Sequence, residues 1–148
     1  MTGHHPLLKP LTKEIITEHI SELIEMSKQL QGDYWMLDHY LSELNRKWEL
    51  SKAVFSAEGQ FIAFVIVSEK PESLHVHRIV VVKEYLGQGL GKVLIGTVKE
   101  EAIRSNKNAI TLKAEADNPQ SLGFYKGLNF EITGQQGALV LMTLKIAL

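Results

Sequence analysis

The spacing of hydrophobic positions changes repeatedly along the chain, and each change marks an element. Residues 1–10 read as a frayed end, with His4 and His5 solvated, leading into a short edge strand near Leu7 and Leu8. From Thr12, an N-cap residue type, Ile15, Ile16, His19, Ile20, Leu23, Ile24 and Leu30 trace one helical face. Gln31-Gly32-Asp33 breaks it, and Tyr34 to Lys47 reads as a second helix with Leu37, Tyr40, Leu41 and Leu44 inward. The spacing then shortens: residues 50–56 and 60–68 make a hairpin turning at Glu58-Gly59. Lys70-Pro71-Glu72 turns the chain into another strand, whose Ile79 to Val82 run is β-branched throughout, as in a strand buried on both faces.

A long helix follows, about residues 88–106, and then a strand from Ala109 to Ala116. In that strand Ile110, Leu112, Ala114 and Ala116 share one face, and Thr111, Lys113 and Glu115 the other. Asn118-Pro119 is an N-cap followed by proline at the first helical position. The helix carries Leu122, Phe124, Tyr125 and Leu128 and ends near Asn129, which tolerates the left-handed closing conformation. Phe130–Thr133 and Ala138–Ile146 close the chain as a hairpin. The order β-α-α-β-β-β-α-β-α-β-β predicts an α/β fold with a mixed, mostly antiparallel sheet flanked by helices, and residues 1–148 as one domain.

Composition narrows the classes. The 148 residues, 45% hydrophobic and 22% charged, suit one soluble domain with a substantial core. A net charge of −1 gives no basic footprint for nucleic acid. No apolar run approaches the ~20 residues of a membrane span, and no signal-peptide core opens the chain. The chain has no cysteine, which excludes disulfides, thiolate metal sites and a cysteine-linked covalent intermediate. A cytoplasmic location is expected.

The candidate chemistry centres on Leu74–Lys92, LHVHRIVVVKEYLGQGLGK. It reads as a strand, a turn with Gly87, Gly89 and Gly91 at alternate positions, and the start of a helix. Such glycines let backbone amides approach an anion where the helix dipole already favours negative charge. A phosphate-bearing ligand seated on residues 87–92 is one reading; a glycine-rich turn without a ligand is the other. A Rossmann fingerprint fails at Lys92, and a Walker A loop fails at Leu86 and Val93.

Two apart in the strand, His75 and His77 point to one face, which alternation extends to Ser73, Ile79 and Val81. A neutral imidazole near pH 7, with a pKa around 6.5 if unperturbed, is a suitable proton relay. A structural role for both histidines stands beside that reading. A metal is not expected: the cupin pattern needs a glutamate soon after the second histidine, and Val81 and Val82 stand there. Tyr125 is either a core aromatic or a proton donor. Asp33, Tyr34, Trp35 and Asp38 line a pocket for a cationic substrate or simply pack helices.

Val81–Leu94, VVKEYLGQGLGKVL, resembles the acyl-CoA-binding motif of the GNAT family of N-acetyltransferases: Arg or Gln, two residues, Gly, one residue, Gly or Ala. Asn118–Phe130, NPQSLGFYKGLNF, resembles the family's later block, and the element order extends the resemblance over nearly the whole chain. Two positions depart from the pattern. The opening Arg or Gln is Leu86, which removes a polar side chain near the pyrophosphate, and the closing glycine is Asn129. The resemblance implies acetyl-CoA as acyl donor, with the backbone of Ile79, Val80 and Val81 along the pantetheine arm. It implies the amides of Gly87, Gln88, Gly89, Leu90, Gly91 and Lys92 on the pyrophosphate, Asn118 beside the cofactor and Gly123 leaving room for it. Tyr125 matches the tyrosine that serves the leaving thiolate. His-x-His before the loop is also similar to the serotonin N-acetyltransferase branch, although an arylalkylamine substrate is not carried over.

The chemistry needs an amine that has lost a proton, stabilisation of charge developing on the carbonyl oxygen, and a proton for the thiolate. The expectation is an acetyl-CoA-dependent N-acetyltransferase acting by direct attack on a small-molecule or protein amine. Tyr125, His77 and His75 are its catalytic residues; it binds no metal, nucleic acid or membrane, and a homodimer is compatible with it. Glu72 and Glu115 are alternative proton acceptors. The competing class is a non-catalytic acyl-CoA sensor or partner-binding module on the same fold, for which Leu86 is the support.

Overall fold

Strands β1 (Leu7–Pro10), β2 (Lys52–Phe55), β3 (Phe61–Glu69), β4 (Ser73–Val81), β5 (Ala109–Glu115), β6 (Glu131–Gln136) and β7 (Leu139–Lys145) join in one sheet. Its order is β1-β2-β3-β4-β5-β7-β6. Neighbours run antiparallel except β4 and β5, the one parallel pair. The computed structural model describes residues 6–28 and 35–147. His4, His5, Leu30, the break at residues 31–33 and Tyr34 lie outside the described residues.

Each face of the sheet has its own core. On one face Leu74, Val76, Ile110, Leu112 and Met142 pack with Leu94, Ile95 and Val98 of helix α5 (Leu90–Arg104). Leu122, Tyr125 and Leu128, in and just after helix α6 (Pro119–Gly127), join that cluster. On the other face Phe61, Phe64, Ile66 and Val80 meet Ile16 of α1 (Lys13–Glu18), Leu23 and Met26 of α2 (Ile20–Ser27) and Tyr40 of α3 (Leu37–Leu41). Complete burial of a side chain such as Leu23 or Ile66 stabilises the fold by roughly 1.5–3 kcal/mol.

The strands and the two later helices fall where the hydrophobic spacing puts them, except that β6 runs on past Thr133 to Gln136; the N-terminal helices do not. Thr12 caps α1 as expected, accepting from the Ile15 amide at 3.1 Å. The single helix predicted from there splits at His19, whose backbone leaves helical geometry at φ −113°, ψ 23°. Its ring instead packs edge-on against Phe55 and Phe61, at 5.4 Å from each. The helix predicted for residues 34–47 is also shorter. α3 ends at Leu41, Ser42 is extended, and α4 (Lys47–Leu50) starts after Arg46 at φ 57°. Tyr40 is buried as predicted, whereas Leu37 is 38% exposed. A buried lysine explains the break: Lys47 Nζ donates to the Tyr40 and Ser42 carbonyls at 2.6 and 2.7 Å, taking groups a continuing helix would use. Its ammonium also lies 4.6 Å from the Trp48 ring centre, and burial lowers its pKa to about 8.

Candidate functional site

The parallel ladder between β4 and β5 is short. It runs from Ser73 opposite Ala109 to Val76 opposite Leu112 and stops. β4 continues to Val81 paired with β3, and β5 continues to Glu115 paired with β7. The two strands therefore splay into a wedge. Ile79, Val80 and Val81 lie along it, on a strand edge whose backbone groups require partners from outside the ladder. The interior of a sheet seldom offers such an edge, and here it opens toward the glycine turn.

That turn carries the chain from β4 through a 3-10 turn at Lys83–Tyr85 into α5. Gly87 and Gly89 have φ of 82° and 83°, a region side chains other than glycine rarely enter, and Gly89 is the N-cap of α5. A Cβ placed at either would meet nothing within 4 Å, so the loop's outer surface is open. Gly91 has a different cause: its Cβ would come within 2.9 Å of Phe124 Cζ. The first two glycines shape the turn, and the third admits the Phe124 ring of α6 against α5. Because the first amides of a helix have no intrahelical acceptor, this end of the fifteen-residue α5 suits an anion. Gln88 and Lys92 are exposed beside it, as is Leu86, at 52%.

α6 begins and ends as the sequence predicts. Asn118 Oδ1 accepts from the Ser121 amide at 3.2 Å, Pro119 follows, and Asn129 closes the turn at φ 76°. The Asn118 oxygen is thus engaged as a cap, which leaves its amide nitrogen for any ligand. Tyr125 lies against Phe124 and Phe130, ring centres 5.2 and 5.7 Å away. Burial raises its pKa to about 12, so the phenol keeps its proton at neutral pH.

His75 and His77 sit together, but not on the face that simple alternation assigns. Opposite β3 the register passes from Val67–Val76 to Ile66–Arg78, which leaves His77 as an extra residue in β4. This bulge inverts the alternation beyond it. Ile79 and Val81 pack with Leu74 and Val76 on the α5 side, so they do not share a face with His75, contrary to the sequence reading. The two histidines occupy the opposite face, their ring centres 4.8 Å apart. His77 Nε2 shares a hydrogen bond with Ser68 Oγ, and His75 Nδ1 with Thr111 Oγ1, both at 2.7 Å. Burial is the main cause lowering each pKa to about 4, and nearby positive charge adds to it. Both imidazoles are neutral at pH 7, which displaces the value near 6.5 expected for an unperturbed pair.

Sequence reasoning missed Arg78, 4% exposed, with its guanidinium carbon 4.4 Å from the Trp35 ring centre and 5.9 Å from that of Tyr40. A cation of the protein itself thus lies over Trp35, where the sequence reading offers a cationic substrate. The aromatic residues at 35 and 40 were the only local sign of it. Ser68 and Thr111, the partners of the histidines, were also missed, since register alone brings them there.

A cleft of about 290 Å³ borders the glycine turn, lined by Ser56, Ala57, Glu58, Ile62, Tyr85 and Gln88. A larger one, about 380 Å³, lies between α5 and the end of β7, away from the wedge. No group of three or more His, Asp or Glu placed to hold a metal occurs among the described residues. No helix among them is long and apolar enough to cross a membrane.

Known proteins share this fold. Solved structures similar to this chain include Ard1 from Thermoplasma volcanium, at 17% identity and a TM-score of 0.82, with 97% of this chain and 99% of that one covered. The ribosomal-protein-S18-alanine N-acetyltransferase from Escherichia coli superposes at 17% identity and a TM-score of 0.79, covering 97% and 96%. The PaiA N-acetyltransferase from Thermoplasma acidophilum, solved in complex with coenzyme A, gives 16% and 0.80, covering 95% and 99%. At these identities the likeness is one of fold. The acetyltransferase (GNAT) family model matches residues 16–130, well over half the sequence, and the chain belongs to that family.

Proposed function

We propose that residues 1–148 work as one N-acetyltransferase domain that moves an acetyl group from acetyl-CoA to a primary amine, by direct attack with both substrates bound. One observation carries the reading: the β4–β5 wedge opens onto the anion-suited start of α5, while Tyr125 and the histidine pair flank it from opposite faces of the sheet. A reaction that uses both can take place only in the wedge.

The residues present fit the donor. The free edge at Ile79, Val80 and Val81 suits an amide-bearing arm, and the open turn at Gly87–Lys92 suits a pyrophosphate. Bound there, acetyl-CoA supplies the acetyl group as an activated thioester. Its position would lie within reach of Tyr125, whose phenol, protonated at neutral pH, would hydrogen-bond the sulfur and share its proton with it as the carbon–sulfur bond breaks. Across the wedge, neutral His77 and His75 accept the amine's proton as the carbon–nitrogen bond forms. With pKa values near 4 they cannot hold that proton for long at neutral pH. They act as a relay, with Ser68 and Thr111 as the next hydroxyls along it. The lack of cysteine favours direct attack over an acyl-enzyme, and it fits a cytoplasmic setting.

The competing class is an acyl-CoA-binding module without turnover, which the exposed Leu86 favours. One pair of measurements decides between them. Melting should rise with acetyl-CoA, by about 2.7 kcal/mol of added stability at 100 times the dissociation constant. Thiol release with a panel of amines should then show turnover. A shift without release on any amine points to the binding module, and no shift at millimolar acetyl-CoA defeats both.

A further inference from the structure

The face of the sheet that carries the histidine pair is covered unevenly. α1, α2 and α3 build a core against β2, β3 and β4, whereas α5 and α6 pack on the opposite face of β5. The Thr111, Lys113 and Glu115 side of β5 is thus left beside the pair. Thr111 bonds His75 directly. Lys113 is the next residue on that side, one step beyond the last ladder pair, and acts on His75 as a positive neighbour. Adjacent strands are about 4.8 Å apart where they pair and wider beyond, so a small group fits between them.

The charges there are mostly of one sign. Lys70 acts on both imidazoles as a positive neighbour, Lys113 on His75 and Lys47 on His77. Glu69, next to Lys70, is held by Lys107 at 2.8 Å and Arg46 at 3.6 Å. Glu115 stands two residues farther from the end of the ladder. Lys113 is exposed, and it forms no ion pair with another residue among those described. Such a field opposes a polycationic acceptor. It also favours the neutral form of an amine, which is the form that attacks.

We infer that the acceptor carries an acidic side chain close to its reacting amine, and that Lys113 binds this side-chain carboxylate while the amine faces the histidines. The inference rests on the N-acetyltransferase reading and names its substrate class. Two sources share the chemistry: a free acidic amino acid, and a peptide whose first residue is Asp or Glu.

The test compares peptides that begin with Asp, Glu, Ala or Lys and are otherwise identical, together with free aspartate, free glutamate and a polyamine. Thiol release is followed for the wild type, Lys113→Glu and Lys113→Arg. Calorimetric titration of each acceptor with coenzyme A present gives binding independently of turnover. Acidic acceptors should lead in kcat/KM, with the peptide and free arms showing which source is used. Lys113→Glu should lower kcat/KM on them by about tenfold, mostly through KM, as expected for a partly exposed charge pair that is reversed. Lys113→Arg should keep the order, and the acetyl-CoA melting shift should be the same in all three proteins. Preference for the polyamine or the Lys peptide overturns the inference. So does an order that Lys113→Glu leaves unchanged, or acetyl-CoA binding with every acidic acceptor untouched and unbound. Loss of the acetyl-CoA shift in the wild type would instead remove the enzyme reading beneath it.

Discussion

The two sides of the wedge are made of different materials. On the proposed donor side the groups on offer are backbone: the free edge of β4 and the first amides of α5, set by Gly87 and Gly89 at positive φ. On the proposed acceptor side they are side chains from three strands: Ser68 of β3 bonds His77 of β4, Thr111 of β5 bonds His75, and Lys113 follows just beyond the ladder. A backbone site needs only the right turn, and many side chains can surround it without harm. A side-chain site depends on register, since a slip of one residue sends every group to the other face. The donor side should therefore tolerate the loss of Arg or Gln at Leu86, and the acceptor side should be sensitive to single substitutions.

The largest effect expected is at Gly89. Gly89→Glu places a carboxylate on the proposed pyrophosphate seat and forces a side chain to φ 83°. It should abolish the melting shift with acetyl-CoA, whereas Leu86→Ala should keep it. Loss of the shift in Leu86→Ala would mean that side chains hold the donor after all.

Tyr125→Phe comes next. The ring still packs against Phe130, so only the hydroxyl is lost. Turnover at saturation should fall by about 10²-fold, the low end for general acid catalysis because a thiolate already leaves readily. The acetyl-CoA shift should stay. An unchanged chemical step, read by single turnover, would return Tyr125 to the core.

His77→Gln should slow turnover by roughly tenfold, a modest relay contribution. With both imidazoles lowered to about 4, the rate should show no histidine limb between pH 6 and 8. Stability should respond instead. The unfolded chain, with histidines near 6.5, binds more protons than the folded one between about pH 4 and 6.5. The contribution is complete above 6.5 and is lost as pH falls toward 4. Melting temperature should drop on acidification from pH 7 to 5, and replacing both histidines with Gln should flatten that drop. A rate limb near pH 6.5 that vanishes in His77→Gln would contradict the buried, neutral pair.

The smallest effects separate the glycines. Gly87→Ala, at φ 82°, should cost about 1 kcal/mol of stability through backbone strain in open space. Gly91→Ala meets Phe124 at 2.9 Å, and the ring's far end can shift, so its effect should be smaller and should be relieved by Phe124→Leu. Urea melts of the single and double variants give this directly.

Those same features mark how far the sequence could be read. The strands, the glycine turn, the Asn118-Pro119 start and the Asn129 stop are local, because each depends on the dihedral or hydrogen-bonding habits of one or two residues. The bulge at His77 is a relation between two strands, and nothing within β4 marks it. For that reason the shared face of His75 and Ile79 was misread while the pairing of the two histidines was legible. Lys47 broke a helix by reaching back to Tyr40 and Ser42, a charge spent in the interior that hydrophobic periodicity treats as solvated. His19 left its helix for Phe55 and Phe61, contacts made across more than thirty positions of the chain.

The central claim is that acetyl-CoA lies along the β4 edge with its pyrophosphate on the α5 turn. Amide hydrogen exchange of the protein with and without acetyl-CoA measures it at those amides. The account predicts new protection within Ile79–Val81 and Gly87–Lys92, with the outer strands β1 and β6 unchanged. Saturating acetyl-CoA that leaves both segments exchanging as before, or that protects only the cleft between α5 and the end of β7, would contradict it.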